Sequence, residues 1–206
     1  MLKFLKKSLF GRPRPPLAQQ LASLADSGIA PLDAACEELV LRRCAGNHLR
    51  HEPYMALLLE LGGGSLSEDA DGPDIPLSHD VWHFDTECIV SHGDYIDIAR
   101  RFTALSKGAL VLTDVRDHVD IEEGVAWLSF RIDGKEVRWD LAVEDDWVDP
   151  NVFSRFELLL AQTGSQRRYI WFDLQGQDCL VACVSAEQQE RLKLVTGLET
   201  RHTPPA

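Results

Sequence analysis

GVAWLSFRI (residues 124–132) and KEVRWDLAV (135–143) are two alternating segments joined by Asp133-Gly134. An Asp-Gly pair between alternating runs is the strongest short hairpin signal in a sequence, because a type I′ turn needs positive φ at both central positions. On the first strand Ala126, Leu128, Phe130 and Ile132 share one face, while Trp127, Ser129 and Arg131 share the other. The apolar set is therefore predicted to be the buried one. This hairpin points to antiparallel pairing.

The segments on either side fit that reading. After the acidic turn EDDWVDP (144–150), NVFSRFELLLAQTG (151–164) predicts a helix. RRYIWFDL (167–174) and DCLVACV (178–184) predict a second strand pair across Gln175-Gly176-Gln177. SAEQQERLKLVTG (185–197) predicts a last helix with Ser185 as its N-cap. Upstream, ALVLTDVRDHVD (109–120) and VWHFDTECIV (81–90) read as strands, and YIDIARRFTALSKG (95–108) reads as a helix with Asp94 as N-cap. The class is α+β: a mainly antiparallel sheet with flanking helices, preceded by a small N-terminal helical subdomain. The predicted division is a basic tail at 1–16, a helical subdomain at 17–63, a loop or linker at 64–79 and the main domain at 80–200.

The chain has 206 residues, 45% hydrophobic and 26% charged, an ordinary globular composition with enough length for one sizeable core. Its five cysteines, Cys36, Cys44, Cys88, Cys179 and Cys183, are odd in number and scattered, which suits reduced thiols in a cytoplasm better than a disulfide framework. Lys3, Lys6 and Lys7 interrupt the apolar residues of MLKFLKKSLF (1–10), so no signal peptide is expected there. Weak contact of residues 1–10 with a membrane surface is conceivable. No run reaches the roughly 20 apolar residues of a membrane span.

The net charge of −12 is unevenly placed: residues 1–60 carry +2, residues 61–150 carry −14 and residues 151–206 carry none. Such a middle segment repels phosphate backbones, so a nucleic-acid partner is not expected. The helices at 17–63 could form a helix-turn-helix, but Arg42, Arg43 and Arg50 are too few to favour DNA reading. The same negative field speeds encounter with a basic protein. Glu144, Asp145, Asp146 and Asp149 surround Trp147 in one turn, and an aromatic ringed by charge has the composition of an interface hot spot. These five are the candidate partner-binding residues.

Signatures of common enzyme classes are missing. Gly62-Gly63-Gly64 lacks the Lys-Ser/Thr of a phosphate loop, and there is no Gly-x-Ser-x-Gly, His-Glu-x-x-His or EF-hand loop. No catalytic residue is assigned and no cofactor is expected. The alternative is a metal-dependent hydrolase or other enzyme. On a strand His83, Asp85 and Glu87 point one way, and the turn bearing His92 and Asp94 could approach them, giving ligands suited to zinc, manganese or iron. His83, Asp85, His92 and Asp94 are its metal candidates. Cys88 beside His92 has the composition of a nucleophile, but a cysteine alternating within a strand is more often simply buried.

The runs Trp82–Ile89, His92–Tyr95, Asp145–Asp149 and Gly176–Leu180 resemble those of an uncharacterised bacterial family of small soluble proteins. In size and acidity the chain also resembles immunity proteins of bacterial polymorphic-toxin systems. That resemblance implies a cytoplasmic protein that binds and silences a cognate toxin. It rests on overall character and carries over no site residues.

Overall fold

Strands β5 (Arg167–Phe172) and β6 (Asp178–Ser185) pair antiparallel at the centre of a sheet ordered β1-β6-β5-β7 in a computed structural model, with β1 at Val81–Asp85 and β7 at Thr200–Arg201. The structure describes residues 15–46, 53–67, 75–174 and 176–202. Most of the expected tail, residues 47–52 of the expected helical subdomain, the middle of the 64–79 loop and Gln175 lie outside the described residues.

This sheet is covered on both faces. Ile170, Phe172, Leu180, Ala182 and Val184 face α1 (Leu17–Asp26), α2 (Ala34–Ala45), α3 (Met55–Gly63) and α6 (Ala186–Thr196). Tyr169, Trp171, Cys179, Val181 and Cys183 face α4 (Asp94–Leu105), α5 (Asn151–Gln162) and a second sheet. Burial on both sides explains why the run 179–184 has no alternating pattern. The expected N-terminal helical region is present as α1–α3. Helices α1–α3 share their core with the four-stranded sheet, because their apolar stripes alone have too little opposing surface to bury.

The described residues of the 64–79 loop are tied to each other and to the helical region. Leu66 N donates to Ile75 O, and Leu77, which is fully buried, accepts from Leu32 N at 2.9 Å. Helix α3 runs through Gly62, where a Cβ would stand 2.7 Å from the backbone N of His83. Glycine there does not end the helix; it lets α3 lie directly on β1.

The second sheet, β2-β3-β4 (Thr113–Asp120, Val125–Ile132, Lys135–Leu141), contains the predicted hairpin. Asp133 and Gly134 have φ of 50° and 74°, as a type I′ turn requires. Ala126, Leu128 and Phe130 are buried as expected. Trp139 of β4 meets Phe156 of α5 edge-on at 5.1 Å, and Phe102 of α4 continues the contact to the first sheet: its ring stacks 4.9 Å from Phe156 and meets Tyr169 edge-on at 4.8 Å, while the Tyr169 hydroxyl donates to Phe102 O at 2.8 Å. Ser185 caps α6 in a full capping box with Gln188.

Candidate partner-binding site

Residues 83–94, the alternative metal site expected from the sequence, are arranged differently from that expectation. Strand β1 ends at Asp85, because the following residues turn to the 144–148 segment: Ile89 N donates to Asp146 O and Val148 N donates to Thr86 O, both at 2.9 Å. Glu87 therefore lies beyond the strand, and Gln177 Nε2 bridges it to Asp85 at 3.0–3.1 Å. Each candidate ligand is engaged separately. His83 Nε2 lies 3.3 Å from Asp178, and Asp85 accepts from Glu87 N and from Gln177 Nε2. These hydrogen bonds hold the Asp85 carboxyl below its usual range. His92 Nδ1 accepts from Val119 N at 2.9 Å, and Asp94 accepts from Val90 N and Ser91 N. Among the described residues no three His, Cys, Asp or Glu side chains are grouped to hold an ion.

Asp94 is also not the cap of α4. Its carboxylate points back to the preceding turn, and the N-cap position is Gly93, at φ 105°. The helix N-terminus is instead satisfied from β2, 23 residues away: the Asp117 carboxylate accepts from Gly93 N, Tyr95 N and Ile96 N. A carboxylate on the first unpaired N–H groups of a helix meets both hydrogen-bonding and dipole demands.

The 144–149 turn is rigid for equally concrete reasons. Asp145 sits at φ 53°, and Trp147 N closes on Glu144 O at 3.1 Å. Residues 146 and 148 are tied to segment 86–89, and Asp149 N donates to the Tyr95 hydroxyl at 3.1 Å. Asp149 is only 4% exposed, and its carboxylate accepts from Ala142 N, Asn151 N and Asn151 Nδ2. It belongs to the interior and leaves the set of candidate contact residues. The other four remain: among the described residues, the carboxylates of Glu144, Asp145 and Asp146 make no hydrogen bond or ion pair, and Trp147 is 39% exposed.

A cavity of about 520 Å³ opens beside this turn. Val148, Phe153 and Cys179 provide buried apolar wall, Trp147 and Pro150 form one edge, and Glu144, Thr86, Gly176 and Gln177 complete it. Three of the runs singled out in the sequence, at 82–89, 145–149 and 176–180, thus meet around one opening. Trp147 carried a compositional signal. Phe153 carried none, and only the tertiary fold brings it beside Thr86 and Cys179.

The thiols nearby are kept neutral. Burial, then the charges of Asp94, Asp85 and Asp146, push Cys88 up to about 11; burial, then Asp178, pushes Cys179 up to about 12. A thiolate nucleophile has no support in that environment. No described helix is long and apolar enough to cross a membrane. Comparison with known proteins finds no family model, no curated protein and no solved structure that matches the chain.

Proposed function

We propose that this chain is an acidic binding protein of immunity type, which silences or regulates a basic protein partner through Glu144, Asp145, Asp146 and Trp147. The observation that carries the reading is the unpaired state of three consecutive carboxylates on a turn fixed by main-chain hydrogen bonds. Several carboxylates nearby accept from backbone N–H groups of the fold; Glu144 and Asp145 are exposed and Asp146 half-buried, each with its acceptor capacity unused. A preorganised turn lowers the entropy lost on association, and unpaired surface charge steers encounter with a cationic surface. The surplus of −14 in residues 61–150 extends that steering beyond the turn. A toxin domain with a basic face is the kind of partner this chemistry suits, and a cytoplasmic setting goes with it.

Affinity capture from cells that naturally express the chain tests the reading. Wild type, Glu144→Gln/Asp145→Asn/Asp146→Asn and a control, Glu122→Gln/Glu123→Gln, serve as baits. A basic protein should be retained by wild type and the control and lost from the triple variant. Equal retention by all three baits would remove the turn from the account.

A further inference from the structure

The recess beside the acidic turn combines two chemistries. Its inner wall, formed by Val148, Phe153 and Cys179, is apolar, and at its edge the half-exposed Trp147 stands beside the unpaired Glu144 carboxylate. The other polar side chains that line it have their donors engaged elsewhere. Thr86 Oγ1 donates to Gln177 O at 2.7 Å, and Gln177 Nε2 donates to Asp85 and Glu87 at 3.0–3.1 Å. Apart from the Trp147 indole N–H, an occupant rich in acceptors would find few side-chain donors to pair with. One rich in donors would meet the free Glu144 carboxylate, with Asp85 and Glu87 adding negative charge through their shared contact with Gln177.

Resting on the reading of the turn as a contact surface, we infer that this recess receives an arginine side chain of the basic partner. Its guanidinium lies over the Trp147 indole, its N–H groups bond to Glu144, and its aliphatic stem covers the apolar wall. Arginine suits the recess better than lysine because a planar guanidinium stacks on an aromatic face and bonds a carboxylate in the same pose. The chain makes this arrangement within itself: Arg138 sits 4.4 Å above the Trp127 ring while its Nε donates to Asp140 at 3.1 Å. The cavity, at about 520 Å³, lies within the range of roughly 300–1,000 Å³ typical of ligand sites. It has room for the side chain and part of its flanking backbone.

The test is a titration of the full chain with the blocked tripeptides acetyl-Gly-Arg-Gly-amide, acetyl-Gly-Lys-Gly-amide and acetyl-Gly-Gln-Gly-amide, read on the indole N–H signals by NMR. Trp147→Leu assigns its own signal, and the four remaining indole signals report that the variant is folded. The arginine peptide should move the Trp147 signal at millimolar concentration, with lysine several-fold weaker and glutamine without effect. Glu144→Gln should weaken the arginine peptide by at least about fivefold. A Trp147 signal that stays still, or moves equally for arginine and glutamine, overturns the assignment. Loss of partner capture by the triple variant together with a still Trp147 signal would refute the arginine recess alone. Unchanged capture with arginine-selective shifts would refute the contact surface alone and leave a cation site.

Discussion

The segment 83–120 and the turn 144–149 have similar acidic composition and use it in opposite ways. In the first, Asp85, Asp94 and Asp117 each accept from backbone N–H groups of a turn or of the α4 N-terminus. In the second, Asp149 alone does so, while Glu144, Asp145 and Asp146 face outward unpaired. The difference lies in the supply of donors. Segment 83–120 includes a helix start with unsatisfied N–H groups, which recruits carboxylates; the tip of 144–147 closes its own main-chain bonds and recruits none. Acidity in a sequence therefore does not distinguish a support from a surface until the donors around it are known.

The sharpest way to break this comparison is to remove the supporting acids. Asp117→Ala and Asp149→Ala should each lower stability by about 2–3 kcal/mol, since each leaves several N–H groups without an acceptor. Urea unfolding measures this as a shifted midpoint with an unchanged slope. Glu144→Gln, Asp145→Asn and Asp146→Asn should each stay within about 0.5 kcal/mol of wild type. Asparagine is chosen at 145 because it tolerates the positive φ there. Losses of 2 kcal/mol at the tip would mean that these acids also support the fold.

Alkaline titration probes the core that both regions share. Cys44 and Cys88 are pushed up to about 11 from 9.0, Cys179 and Cys183 to about 12 from 9.0, and Tyr95 to about 12 from 10.0, in each case first by burial. The unfolded chain releases these protons at lower pH than the folded one. Stability should hold up to about pH 9 and fall as pH rises from 9 toward 12. Thermal melts across that range check it, and Cys183→Ala should flatten the fall. Cys88, which feels Asp94 and Asp85 from one region and Asp146 from the other, sharpens the comparison with a smaller effect. At pH 8 it should react with iodoacetamide at least about tenfold more slowly than a free thiol, and Asp94→Asn should speed it more than Asp146→Asn.

What could be read from the sequence was what short stretches decide by themselves. Asp133-Gly134 fixed its hairpin and Ser185 its cap because all the atoms involved lie within four residues. Trp147 stood out as an aromatic among acids. The centre of the fold was harder to read, since Val181 and Ala182 face opposite apolar layers and leave no period. Asp94 stood at the right distance from α4 to be its cap, but Asp117, from β2, took that role. Asp149 looked like its neighbours Asp145 and Asp146, and only the Tyr95 hydroxyl and the start of α5 separate it from them. Four of the five contact candidates remain on the surface, and the cavity that gives them depth is a product of tertiary structure.

The central claim is that the tip of this turn, and not the acidity of the chain as a whole, governs association. It is tested most directly by the association rate with the captured partner, measured as a function of salt. The triple variant Glu144→Gln/Asp145→Asn/Asp146→Asn should associate about three- to tenfold more slowly at low salt and show a flatter dependence on ionic strength than wild type. Coincident rates and slopes for the two proteins would contradict the account.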